Sequence, residues 1–431
     1  MQNYNIRGVC LLMDLLHENK IQTILSKTKH RDKKENYPKF LSVEQLQKVR
    51  DFHQTIKAYN ITPLVELKSL AAELGVKSIF VKDESKRIDQ NSFKMLGASY
   101  AIGKFLCQKL GVNIEDTSFE DLKSLELRKK IGEITFVTCS DGNHGRGVAW
   151  TAKQLGQKAV IYLPKGTAFR RVQSIKDLGA EAKVTDLNYD DTVRYALQKS
   201  TENGWQMVQD TSWEGYTEIP MWIMQGYSAM GYEAFTQLKD LGIEKPTHVF
   251  LQAGVGAMAG GVLGAYVNLY KESHPIVTIM EPTNAACMFK SASINDGEPH
   301  RVGGTLHSIM AGLACGEAIP IGWEILRDFA HCYCTCPDYV TARGMRILAN
   351  PLGQDERIVS GESGAVGIGL LSIIMQKKYT ESIRKQLKLD KNSVVLLFST
   401  EGDTDPVNYR DILWDGMYEL PCLDCEPHLN K

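Results

Sequence analysis

The run Asn91-Ser92-Phe93-Lys94-Met95-Leu96-Gly97-Ala98-Ser99-Tyr100 sets one lysine among small and apolar residues, directly after the polar loop Lys86-Arg87-Ile88-Asp89-Gln90. Two readings compete. In one, Lys94 is a solvated side chain in the first turn of a helix, the ordinary place for a lysine. In the other, apolar neighbours desolvate it, its pKa falls, and the neutral amine can form a Schiff base with an aldehyde. The rest of the chain decides between them.

Outward from that run, strands and helices alternate. Upstream, Ser42-Val43-Glu44-Gln45 is a capping box ahead of Leu46, Val49, Phe52 and Ile56 at helical spacing. Residues 67–74 form a short helix stopped at Gly75, and 78–82 a strand. Downstream, strands are expected at 134–139, 159–163, 181–185, 206–208, 248–252, 276–280, 331–335, 357–360 and 393–398. Helices are expected between them at 147–155, 168–178, 190–202, 222–241, 260–270 and 363–375, with another after Asp338. Apolar runs rich in β-branched residues, each followed by a helix, mean parallel strands covered on both faces. The expected fold class is α/β, with two doubly wound open-sheet domains and a cleft between them.

The charge balance narrows the partners. Fifty basic residues against fifty-one acidic leave a net charge of −1, with no bias toward nucleic acid or an anionic membrane. No apolar run approaches the roughly 20 residues of a membrane helix. The N-terminal patch Val9-Cys10-Leu11-Leu12-Met13 is interrupted by Asp14 and lacks a cleavage signal, so a cytoplasmic protein is expected. Ten cysteines are too sparse for a disulfide scaffold, and a reduced chain is the default. Cys332, Cys334 and Cys336 would share one face of a strand, which is not the spacing of a usual zinc knuckle to join with Cys422-x-x-Cys425, so no metal is expected.

Polar turns punctuate the strand ends, where open α/β sheets bind ligands. Ser140-Asp141-Gly142-Asn143-His144-Gly145-Arg146-Gly147 presents amides that suit a carboxylate or phosphate, or else satisfies its own backbone. Gly254-Val255-Gly256-Ala257-Met258-Ala259 fits the dinucleotide fingerprint, with Glu281 ending the next strand. A simple phosphate at a helix N-terminus explains that loop equally well, and so does tight strand–helix packing. Asp210 is either a carboxylate on the cleft rim or a helix cap. Residues 360–364 and 399–406 are two further turns of this kind.

Ser92-Phe93-Lys94, Asp141-Gly142-Asn143-His144, the glycine loop at 254–258 and Ser399, in that order, resemble the fold type II pyridoxal-phosphate enzymes. Longer segments at 81–87, 141–150, 208–227, 252–261, 309–317, 358–370 and 398–409 are similar to members of that family that cleave diaminopropionate, and the likeness covers residues 50–415. The resemblance implies pyridoxal 5'-phosphate as cofactor, in a Schiff base with Lys94. It implies Asn143 on the phenolic oxygen of the ring, and the backbone amides of Gly254, Val255, Gly256, Ala257 and Met258 around the phosphate. Ser399 or its neighbour Thr400 would face the pyridine nitrogen. A hydroxyl there leaves the nitrogen largely unprotonated and the ring a weaker electron sink, which suits elimination.

The wider family usually has Ser or Thr where this chain has Asp141. A carboxylate there repels a substrate carboxylate, so it calls for a second positive charge on the substrate, as 2,3-diaminopropionate has. The resemblance thus implies Lys94 as base toward the L-isomer, Asp141 as base toward the D-isomer, and Asp210 as the group that recognises the β-amine. Pyruvate and two ammonia would be the products. It also implies a homodimer and a partition into a larger cofactor-binding domain at 42–95 and 213–431 and a smaller mobile domain at 96–212, while the polar, lysine-rich composition at 1–41, outside the resemblance, reads as an irregular arm. A serine or threonine deaminase of the same fold is the alternative, against which the acidic pair argues. A nicotinamide dehydrogenase leaves Lys94 and Asn143 unexplained, and retention of Lys94, Asn143 and Ser399 argues against a non-catalytic amino-acid-binding protein. Cys287 and Cys315 are either free thiols or a redox-labile pair.

Overall fold

The computed structural model describes residues 20–27, 37–88 and 90–421. Its strands are β1 (Gln22–Leu25), β2 (Leu64–Glu66), β3 (Ser78–Asp83), β4 (Thr135–Cys139), β5 (Lys158–Leu163), β6 (Glu181–Val184), β7 (Gln206–Met207), β8 (His248–Gln252), β9 (Ile276–Pro282), β10 (Cys332–Cys336) and β11 (Val394–Ser399). They form a larger sheet in the order β1-β10-β9-β8-β11-β3-β2 and a smaller one in the order β6-β5-β4-β7. The five inner strands of the larger sheet and all four of the smaller are parallel, while the edge strands β1 and β2 are antiparallel. Every residue of β8 and β11 is buried, which is why HVFLQ and VVLLFS read as continuous runs and not as alternation. The fold is α/β, with sheets flanked by helices.

Several expectations need correction. Gln22–Leu25 lies within the stretch read as an irregular arm, yet it pairs antiparallel along β10, with Gln22 opposite Thr335 and Leu25 opposite Cys332. Four residues are too few to show a period, and the free edge of β10 supplies the partner. The strand expected at 357–360 does not form. Its Ile358 amide donates to Leu348 O at 3.0 Å, and the Gly361 amide donates to Glu401 O at 2.9 Å, so neither enters a ladder. The helix expected from Gly147 begins at Asn143, one turn earlier, with Gly142 before it at φ +146°.

Cys332, Cys334 and Cys336 do share a face, packing into an apolar cluster with Val340, Met345 and Leu371. Their burial is ordinary core packing, and all the described cysteines are free thiols. Cys422 and Cys425 lie outside the described residues.

The helix Lys94–Leu110 carries the lysine as its first residue and runs on through the buried centre of the molecule. Ser42 Oγ accepts from the Gln45 amide at 3.3 Å, but the Gln45 side chain does not complete the box; it donates to Tyr100 Oη at 2.8 Å. The helix Val43–Gln54 is thereby tied to the lysine helix. Against the long helix Glu218–Asp240 the contact is backbone to backbone: a Cβ on Gly226 would lie 2.3 Å from Leu96 O and 2.7 Å from Gly97 Cα. A Cβ on Gly97 would lie 2.4 Å from the Tyr227 ring. Small residues here set where Lys94 sits.

Gly226→Ala is therefore expected to cost about 1–3 kcal/mol by overpacking a contact that has no flexible side chain to yield. Chemical denaturation of the two proteins measures it, and unchanged stability would show that the helices can separate freely.

Candidate active site

At the carboxyl ends of the parallel strands a cleft opens. Its walls include Lys94, Asp141, Asn143, Asp210, Thr400 and residues 254–258. Stretches scattered over more than 300 residues of sequence meet here.

Lys94 Nζ lies 2.5 Å from Asp210 Oδ2 and 5.4 Å from the centres of both the Phe93 and Tyr227 rings. Burial acts to lower the lysine's pKa, but Asp210, with Tyr227 and Asp141 beyond it, outweighs burial and the net shift is upward. The expected depression of the Lys94 pKa is thus corrected. The apolar residues beside Lys94 in sequence gave no sign of a carboxylate that arrives from another strand end. For Asp210, burial acts to raise the pKa, yet His144, Lys94 and the Tyr227 hydroxyl hold it far below the carboxylate range. Its other oxygen takes longer bonds from Gln209 Nε2 at 3.3 Å and Tyr189 Oη at 3.5 Å. Asp210 is a buried, permanently charged acceptor and does not cap a helix.

His144 donates Nε2–H to Val208 O at 2.8 Å; burial lowers its pKa, while Asp210, 3.8 Å from Nδ1, opposes the fall. That nitrogen lies 3.5 Å from the Tyr227 hydroxyl, which itself lies 3.3 Å from Asp210 Oδ2.

Asp141 meets a partner that the sequence reading missed. Arg171 Nη1 is 3.3 Å from Asp141 Oδ2, and the guanidinium comes from the helix Phe169–Asp177. Burial raises the Asp141 pKa, while Arg171 and Lys94 oppose the rise. Gly142 makes room for this pair, since a Cβ there would lie 3.1 Å from Arg171 Cδ. The charge argument drawn from sequence changes accordingly, because the protein itself supplies a cation for Asp141.

The glycine loop is drawn tight. Gly256, at φ +94°, precedes the helix Ala257–Tyr270, and a Cβ on it would lie 2.5 Å from Met288 Cε. A Cβ on Gly254 would lie 3.1 Å from Gly312 O. Bare backbone at a helix N-terminus on the cleft wall fits a phosphate. Glu281, the acidic residue of the dinucleotide reading, is buried and accepts from the Met288 and Phe289 amides at 2.8 and 2.7 Å. Burial pushes its carboxyl up to about 8. It serves the helix Cys287–Ile294, so a ribose-binding role has lost its residue. Cys287 and Cys315 are both free and buried, with burial pushing both thiols well above their usual range.

On the remaining wall, Asn143 Nδ2 donates to Glu401 Oε2, and Glu401 also accepts from the Ser363 amide at 3.0 Å and Thr404 Oγ1 at 3.2 Å. Ser399 faces away, its hydroxyl donating to Ser360 Oγ at 2.8 Å; Thr400 lines the cleft. The sequence reading also missed Gln252, Tyr189, Tyr227, Ser363 and Glu401. Ser363 and Glu401 sit in polar turns already singled out, whereas Arg171 and Tyr227 lie within the helices expected at 168–178 and 222–241, which were given no site role. Lysine, phosphate cradle and polar walls suit an aldehyde-bearing phosphate ester, and the buried, unpartnered Ser363 Oγ adds a free donor.

Residues 56–399 match the family described as pyridoxal-phosphate dependent enzymes, the class that this fold and cleft define. The diaminopropionate ammonia-lyase of Escherichia coli strain K12 is 54% identical over 380 residues, which is 88% of this chain and 94% of that protein. A crystal structure of the Escherichia coli enzyme with D-serine has a TM-score of 0.86 at 50% identity, covering 93% of this chain and 98% of that one. A second, with an aminoacrylate-PLP azomethine reaction intermediate, has a TM-score of 0.85 at 49% identity and the same coverage. Within the pyridoxal-phosphate-dependent enzymes, the chain belongs to the diaminopropionate ammonia-lyase family, which are carbon–nitrogen lyases.

Arg171→Met should push the Asp141 pKa further up, because burial then acts with one fewer opposing cation. Turnover that needs ionised Asp141 will lose its acid limb at higher pH than in the parent. Superimposable pH–rate profiles would show that Arg171 does not act on Asp141.

Proposed function

We propose that the protein eliminates ammonia from 2,3-diaminopropionate, of the L- and the D-isomer, to give pyruvate and a second ammonia. The observation that carries this reading is Asp210, a buried and permanently charged carboxylate already holding an alkylammonium, Lys94 Nζ, at 2.5 Å. A β-ammonium group is the same chemistry. Serine and threonine offer a neutral hydroxyl there, and a buried carboxylate left without a cation is costly, which disfavours the deaminase reading.

Lys94 would hold the cofactor's aldehyde, the amides of residues 254–258 its phosphate, and Thr400 its pyridine nitrogen. Asn143 has a second amide hydrogen beyond the one given to Glu401, and this would serve the phenolic oxygen. When bound, pyridoxal phosphate supplies the electron sink that makes an α-proton acidic. Lys94 takes that proton from the L-isomer and Asp141 takes it from the D-isomer. Arg171 beside Asp141 favours the charged, proton-accepting form.

In this reading residues 96–212 form a smaller unit that closes on a larger one at 42–95 and 213–431, and the enzyme is a cytoplasmic homodimer. Among the described residues no helix is long and apolar enough to cross a membrane.

Lys94→Ala should abolish pyruvate formation from both isomers. Asp141→Asn should lower turnover of the D-isomer by about 10²–10⁴-fold, and that of the L-isomer far less. Equal losses on both isomers would overturn the two-base assignment, and faster turnover of serine or threonine would overturn the substrate.

A further inference from the structure

Gln252 is the last residue of β8, buried beneath the cleft floor, and the reading above gives it no role. Its Nε2 lies 3.1 Å from Ser363 O, 2.8 Å from Phe398 O and 3.0 Å from Thr400 Oγ1. Two of these three acceptors are carbonyls, which cannot donate, so the atom that meets them is the amide nitrogen. An amide nitrogen has no free lone pair. Thr400 can therefore only accept from Gln252 and cannot donate back. Among the described residues, the Thr400 hydroxyl donates to no protein group. Its proton is left for the cleft that Thr400 lines.

We infer that Gln252 is a positioning residue that holds the Thr400 hydroxyl at the cleft with its proton unspent, so that the proton is available to the cofactor's ring nitrogen as an unprotonated acceptor. This rests on the reading that Thr400 faces that nitrogen. A hydroxyl free to turn could present either its proton or its lone pair. Gln252 narrows the choice, because its two N–H hydrogens, shared among three acceptors, engage one Thr400 lone pair, and its nitrogen cannot take the Thr400 proton in return. The hydroxyl that meets the ring is thereby positioned by a glutamine that need not touch the ring. Ser363 and Phe398, whose carbonyls lock the amide, belong to the same device.

The test uses holoenzyme reconstituted with pyridoxal phosphate carrying nitrogen-15 in the ring. The parent protein should show the ring nitrogen unprotonated and hydrogen-bonded. Gln252→Met removes the donor that holds the Thr400 hydroxyl, so the resonance should move toward the position seen in Thr400→Val. Cofactor affinity should fall on the order of 2- to 10-fold, as for the loss of one hydrogen bond. The double variant should match Thr400→Val alone, since Gln252 acts through that hydroxyl. If Thr400→Val moves the resonance and Gln252→Met does not, the positioning role is overturned while the reading of Thr400 stands. A resonance unmoved by Thr400→Val overturns that reading and the inference with it. Should Gln252→Met fail to fold, Gln252→Asn withdraws the amide by one methylene and permits the same comparison.

Discussion

The ion pair between Lys94 and Asp210 is the constraint around which the cleft is built. Two charges withdrawn from water are tolerated only when each finds the other, with further hydrogen bonds on the spare positions. Lys94 opens a helix and Asp210 follows β7 of the smaller sheet, so the pair joins distant parts of the chain. Tyr227 supplies Asp210 with a hydroxyl from the long helix, and its ring rests where a side chain on Gly97 would be. Moving any of these elements leaves a buried charge without its partner.

The same pair explains why one cleft suits an amino acid with two ammonium groups. A carboxylate held far below its usual pKa is a fixed negative charge, whatever the solution pH near neutrality. Asp141 differs: burial pushes it up, and Arg171 holds it back. One carboxylate is suited to binding and the other to moving a proton, and their surroundings alone make the difference. Behind them, Glu401 gathers Asn143, Ser363 and Thr404 onto one carboxylate and joins the loops of the two sheets.

Much of the architecture was legible because buried parallel strands must be apolar throughout, as β8 and β11 are. Gly75 and Gly179 also mark helix ends through their positive φ. Harder to read were segments whose partners are remote. Gln22–Leu25 becomes a strand only because β10 has a free edge, and 357–360 stays unpaired because its amides are taken elsewhere. The cleft residues found from sequence lie in turns rich in glycine and polar side chains. Those missed, Arg171, Tyr227 and Gln252, sit within regular elements, where a polar residue reads as a surface position or as the end of a strand.

The sequence by itself determined the α/β class, the order of the strand-end turns, and the lysine around which they gather. These follow from local periodicity and from the chemistry that each turn can offer. Only the tertiary structure decided the charge states. It raised the Lys94 pKa where the local sequence implied a fall, gave Asp141 an arginine, turned Ser399 away and left Thr400 facing the cleft. The reason is physical: desolvation can be read from neighbours in sequence, but the Coulomb field at a buried group comes from neighbours in space.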